Sequence, residues 1–202
     1  MTRKTVLCAD EYYHVYNRGV DKRNIFLNEK DYQRFTSLLF ACNAKKNIQL
    51  SRYVSRKGLV SDHLFTLEKE TIVDVIAYCL MPNHFHLLIR NKSARTDSDG
   101  IEKYMQKLST SYAMYFNKKN QRSGSLLQGR YKAKHVHSDQ YLKQVFEYIH
   151  LNPFEAEIAT RGFTGLKDYA GYRYSSLGYY LGERDDFVID PIIRDEHTYL
   201  MS

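Results

Sequence analysis

Twenty residues, TIVDVIAYCLMPNHFHLLIR from Thr71 to Arg90, constrain the fold more than any other stretch of the chain. Their first half is rich in β-branched side chains, and HFHLLIR resumes the same character after the short connection Met81-Pro82-Asn83. Two strands joined so closely form an antiparallel hairpin. Side chains alternate along a strand, which sets Phe85, Leu87 and Ile89 on one face and His84, His86 and Arg90 on the other.

The rest of the chain supplies partners for that hairpin. YYHVY, residues 12–16, reads as a first strand, followed by the turn signal Asn17-Arg18-Gly19. Asn28 is placed to cap a helix through about Ala44, with Tyr32, Phe35, Leu38, Leu39 and Cys42 at helical spacing. Residues 45–70 are weakly patterned and read as an insertion, and Ser93–Gly100 reads as a loop. Ile101, Tyr104, Met105, Leu108, Tyr112, Tyr115 and Phe116 mark the stripe of an amphipathic helix. Tyr131–Val136 reads as a fourth strand. Ser138 and Asp139 then open a helix carrying Leu142, Val145, Phe146 and Ile149, which Pro153 stops.

This order predicts an α+β fold, a ferredoxin-like βαββαβ sandwich with an added C-terminal helix. Two helices cover one sheet face and the other stays open. A length of 202 residues suits one domain with a sizeable core, here 1–153, and leaves 154–202 as an extension with no assigned role. No apolar stretch approaches bilayer length and the start MTRKTVLCADEYY lacks a signal-peptide core, so no membrane and a cytoplasmic, nucleoid-associated location are expected. Cys8, Cys42 and Cys79 form no CxxC or Cys/His cluster, which argues against a disulfide framework or a structural zinc.

The net charge of +7 points to a polyanionic partner. From Lys103 to Lys134 the chain carries Lys103, Lys107, Lys118, Lys119, Arg122, Arg130, Lys132 and Lys134 without an acidic residue, whereas Glu183, Asp185, Asp186, Asp190, Asp195 and Glu196 crowd the C-terminal stretch. Taken alone, a basic run is more often a solvated face. Eighteen Tyr and ten Phe, several beside cations as in GRYKAK, shift the weight toward single-stranded nucleic acid, whose unpaired bases stack on rings. Arg90, Tyr131 and the eight cations are the nucleic-acid-binding candidates.

The pair His84 and His86 projects from one strand face at a spacing that lets both rings reach one ion, although HFH alone is more often a pair of unrelated polar residues. EYIHLNP, residues 147–153, adds Tyr148 and Asn152, four apart and so on one helical face, while Val145, Phe146 and Ile149 account for packing. Asn152 precedes Pro153, which biases it away from helical dihedrals. Tyr112 and Tyr115 lie on an apolar stripe and read as packing. His135, His137 and His150 read as surface or packing residues.

MPNHFHLLI, KYMQKLSTSYAMYFNKK, GSLLQGRYKAKHV and EYIHLNP, in that order, resemble the HUH single-tyrosine transposases, in their REP-associated tyrosine transposase branch, from about Tyr12 to Pro153. The resemblance implies a transposase that binds hairpin-forming single-stranded DNA and cuts it with a metal-assisted tyrosine, leaving a covalent 5′-phosphotyrosine. It matches His84 and His86 to the histidine pair, Tyr148 to the nucleophile and Asn152 to a polar third ligand. Two imidazoles, an amide oxygen and waters suit Mg²⁺ or Mn²⁺. A tyrosine with an ordinary pKa of about 10 needs such help, and no general base is assignable. The rivals are a non-catalytic module binding hairpin DNA or RNA, and a hydrolase using water as nucleophile. Monomer and homodimer are both compatible with the sequence.

Overall fold

The computed structural model describes residues 7–55, 60–93, 100–162 and 164–201. Its centre is a four-stranded antiparallel sheet of β1 (Tyr12–Arg18), β2 (Val73–Met81), β3 (His84–Asn91) and β4 (Lys132–Val136), in spatial order β2-β3-β1-β4. Helix α1 (Glu29–Cys42) joins β1 to β2, α2 (Ile101–Lys119) joins β3 to β4, and α3 (Asp139–Leu151) follows. This is the expected ferredoxin-like order. Most of the loop expected at Ser93–Gly100 lies outside the described residues.

Helices α1 and α2 cover the sheet face that carries Phe85, Leu87 and Ile89, all fully buried. Phe35 of α1 meets Phe85 at 4.9 Å between ring centroids and Tyr112 of α2 at 4.8 Å, an interdigitated aromatic core. Tyr112 donates its hydroxyl to the Ile25 carbonyl and Tyr115 donates to the Asp31 carboxylate, so both serve packing. Asn28 sits at the N-cap position of α1 but makes no capping bond. Its oxygen accepts from Lys119, while Asp31 accepts from the Leu27 amide and takes over the tie at that helix end. The helix stops at Cys42, and Asn43 uses its side-chain oxygen to accept from the amides of Ile72 and Val73.

The second sheet face is not open as expected. Ala77, Cys79 and Leu88 on it are fully buried. They are covered because α3 lays Leu142, Val145, Phe146 and Ile149, all buried, onto the sheet over β2 and β3. Burying four such side chains contributes roughly 1.5–3 kcal/mol apiece, enough to draw the helix down. The chain then wraps back. Leu80 and Ser176 donate backbone hydrogen bonds to Tyr174 and Tyr78 across the outer edge of β2, and Ser175 bridges Cys79. Tyr172 and Tyr180 donate hydroxyls to the carbonyls of Leu80 and Ile76.

Residues 45–70 also pack rather than wander, since Leu50 and Leu64 join the core; residues 56–59 within them are outside the described part. Helix α3 ends at Leu151, just before Pro153 as expected, but the chain does not leave helical geometry there. Asn152 keeps helical dihedrals (φ −50°, ψ −39°) and leads through a 3-10 turn at Asn152–Phe154 into α4 (Glu155–Arg161). Near a 3-10 start the proline's missing N–H costs nothing. Two short helices, α5 (Leu177–Tyr180) and α6 (Pro191–Glu196), complete the C-terminal part. Among the described residues no helix is long and apolar enough to cross a membrane.

Candidate active site

Strand register assembles the site. Across β1 and β3, Tyr16 lies opposite His86 and Arg18 opposite His84; across β1 and β4, Tyr16 lies opposite Lys132 and His14 opposite Lys134. Residues directly opposite share a face, so three histidines, Tyr16 and both lysines project on the side that carries α3. That helix presents Tyr148 to them. Its ring centroid lies 5.5 Å from His86 and 5.8 Å from His14, both edge-on, and the residue stays 48% exposed, open to a substrate.

His84 sits between two amides. Its Nδ1 lies 2.6 Å from Asn83 Oδ1 and its Nε2 lies 3.1 Å from Asn152 Oδ1. A neutral imidazole can donate to only one carbonyl oxygen. If Asn83 takes the proton, Nε2 and the Asn152 oxygen face each other as lone-pair donors. Neighbouring ligands of an octahedral divalent ion, each about 2.0–2.1 Å from it, are likewise about 3 Å apart. The His86 ring is 5.0 Å from that of His84. Two imidazole nitrogens and an amide oxygen therefore fit a divalent cation. Among the described residues no group of three or more His, Cys, Asp or Glu could hold an ion, so any site here depends on Asn152 and water.

Electrostatics favour neutral rings. Burial, then the neighbouring His14 and His84, push His86 down to about 3, and burial with Lys134 pushes His14 down to about 4. Burial also lowers His84, against the Asn152 contact that favours its charged form. All three keep nitrogen lone pairs at neutral pH, as metal ligation requires. Tyr148 moves the other way. Partial burial and then the Glu155 carboxylate raise its pKa above the ordinary value, with a hydrogen bond to Asn152 opposing them. The protein alone thus leaves the phenol protonated.

The structure brings Tyr148, His84, His86 and Asn152 together, with Lys132 and Lys134 exposed on the adjoining β4. The Lys132 ammonium stands 5.9 Å from the centre of the Tyr16 ring, which itself stacks against His86 at 5.6 Å. Arg130 is exposed and Tyr131 half-buried beside them. Arg90 shares the face but is tied to Asp74 at 2.9 Å and Glu196 at 3.2 Å. Lys103, Lys107, Lys118 and Lys119 stand on α2, with Arg122 just beyond, all on the helical side of the sheet. Lys119 pairs with the fully buried Asp31, Arg122 donates to Asn117, and Lys107 donates to the Ala44 carbonyl. Lys107 also borders a cleft of about 550 Å³ with Arg34. His14, Tyr16 and Arg18 have no candidate role in the sequence reading. The alternation of YYHVYNR places them on one face, but only the pairing with β3 shows which.

Comparison with known proteins supplies a family and a fold. The profile of a family described as IS200-like transposases matches residues 8–152. No curated protein matches the chain. Among solved structures, a REP-associated tyrosine transposase bound to a REP hairpin is similar at a TM-score of 0.53 and 11% identity, over 94% of this chain and 93% of that one. At such an identity the likeness is one of fold, and it extends through the C-terminal wrap.

Proposed function

The chain belongs to the family of IS200-like transposases, and from that premise we propose that it cuts and rejoins single-stranded, hairpin-flanked DNA through a covalent link to Tyr148. One observation carries the reading: an accessible tyrosine on α3 stands at ring-contact distance from His86 of the histidine pair, with Asn152, one helical turn along, in contact with His84. In the forward step the Tyr148 oxygen attacks a backbone phosphorus. The phenol gives up its proton as the new P–O bond forms a 5′-phosphotyrosine, the bond to the 3′ oxygen breaks, and that oxygen takes up one proton and leaves as a free hydroxyl, so protons balance. A 3′ hydroxyl attacking the phosphotyrosine reverses the chemistry and rejoins strands without an external energy source.

A divalent ion, Mg²⁺ or Mn²⁺, held by His84, His86 and Asn152, would supply charge stabilisation at the phosphate. Asn152, four residues on and so on the same helical face, is placed to orient the Tyr148 phenol. Lys132, Lys134 and Arg18 supply positive charge along the strand path, and Tyr16 offers a ring for an unpaired base. Such an enzyme works in the cytoplasm, on the nucleoid.

Labelled single-stranded hairpin DNA incubated with protein and Mg²⁺, then run on denaturing gels, tests the proposal. Wild type should give a protein–DNA adduct and a shortened strand, and Tyr148→Phe neither, while binding the hairpin as before. Binding without cleavage in wild type would favour a recognition module. Cleavage without adduct in both proteins would favour a water-using hydrolase.

A further inference from the structure

Each candidate ligand imidazole has a second ring nitrogen, and its partner decides which end of the ring carries the proton. For His84 two amide oxygens compete, Asn83 Oδ1 at 2.6 Å from Nδ1 and Asn152 Oδ1 at 3.1 Å from Nε2. The Asn83 amide is oriented by its own Nδ2 donating to the Lys22 carbonyl at 3.2 Å, so its oxygen faces His84 Nδ1. A carbonyl oxygen only accepts, and the shorter, anchored contact to Asn83 favours the proton on Nδ1, which leaves Nε2 its lone pair for an ion shared with Asn152.

For His86 the partner is another histidine. His86 Nδ1 and His14 Nε2 are 2.8 Å apart, with both rings more than nine-tenths buried and stacked at an interplanar angle of 26°. One proton occupies that bond. Carried by His86 Nδ1, it leaves His86 Nε2 able to bind an ion. Carried by His14, it forces the remaining His86 proton onto Nε2 and turns an N–H toward the site. His14 does not itself complete a three-imidazole site, since no such group exists among the described residues.

We propose that His14 is a positioning residue: it accepts the Nδ1 proton of His86 in a hydrogen bond and so holds His86 with its Nε2 unprotonated, as Asn83 does for His84. This role rests on the metal site proposed above. It makes the ligand pair symmetric in chemistry, two Nδ1–H tautomers, one held by the preceding residue and one by a residue of β1. Keeping the bond requires an acceptor at position 14, not a charge or a second ligand.

Long-range ¹H–¹⁵N spectra of the metal-free full chain at neutral pH read the tautomer directly. A protonated-type Nδ1 and unprotonated-type Nε2 in His86 are expected; an Nε2–H tautomer would overturn the role. Calorimetric Mn²⁺ titrations provide the second readout. His14→Phe should bind Mn²⁺ about 10-fold more weakly or worse, the usual effect of losing such a partner. His14→Gln, which restores an accepting oxygen, should recover most of that affinity. Unchanged affinity in His84→Ala would overturn the metal site and this role together. Weaker binding in His84→Ala with none of it in His14→Phe would overturn this role alone.

Discussion

His150 Nε2 and Ser176 Oγ lie 2.8 Å apart in a fully buried contact that ties the tyrosine helix to the C-terminal wrap. Ser176 in turn accepts from the Tyr78 amide, so one hydroxyl joins α3, the wrap and β2. The helix bearing Tyr148 is thereby fixed against the sheet bearing the histidines.

Burial lowers the pKa of His150 to about 3, against 6.5 in an unfolded chain. The fold favours the neutral ring. Its contribution is therefore full above pH 6.5 and is lost as pH falls from there toward 3. Linkage sets the loss between pH 7 and 5 at about 2 kcal/mol. Urea unfolding at the two pH values should show it, and His150→Gln should flatten the difference by a comparable amount; an equal slope in the variant would refute the assignment.

His84→Ala and His86→Ala should each abolish Mn²⁺ binding measured by calorimetry, because each removes an imidazole nitrogen from a site with few donors. Asn152→Ala should weaken it less, since water can replace an amide oxygen. Hairpin affinity should survive in all three, the cations lying elsewhere. Wild-type affinity for Mn²⁺ in either histidine variant would count against the site.

Cations on the two sides of the sheet should respond differently to substitution. Lys132→Ala and Lys134→Ala should each lower the slope of log affinity against log salt by about 0.7 for every DNA phosphate that the variant no longer neutralises. Lys119→Ala should instead lower stability, because it strips the cationic partner from Asp31, which has no solvent exposure. Filter binding over a salt series, with thermal melts alongside, separates the effects. A slope change confined to Lys119→Ala would place the DNA on the helical side.

In metal-free protein the ¹³Cζ signal of Tyr148 should titrate with a midpoint above 10, following burial and Glu155. Glu155→Gln should bring the midpoint down. A midpoint near neutrality would mean that the fold itself activates the phenol, and the need for a metal at that step would disappear.

The hairpin and the histidine pair were legible because strand alternation is a local signal that needs no knowledge of neighbours. Tyr148 was legible for the same reason, as a residue off the apolar stripe of its own helix. His14 was not. Nothing inside YYHVY distinguishes it from a packing residue, and its meaning comes from a strand more than seventy positions away in the chain. The covering of the second face was hidden too, because the segment around Tyr172–Tyr180 pairs through backbone and hydroxyls rather than through an alternating apolar pattern. Asn152 stayed helical against its pre-proline bias because the chain tightens there into a 3-10 turn, and its amide still closes onto the Tyr148 carbonyl.

Among the described residues the C-terminal wrap lies along β2, at one margin of the sheet, and β4 forms the other. An edge strand is where another chain can dock and extend a sheet, the first step toward aggregation. β4 is five residues long and places Lys132 and Lys134 beside one another on the side of the proposed site. Brevity and mutual repulsion both discourage a second copy from adding there. Neutralising these lysines should therefore cost solubility as well as DNA affinity, and a bound strand, by screening them, would need to cover the margin that it neutralises.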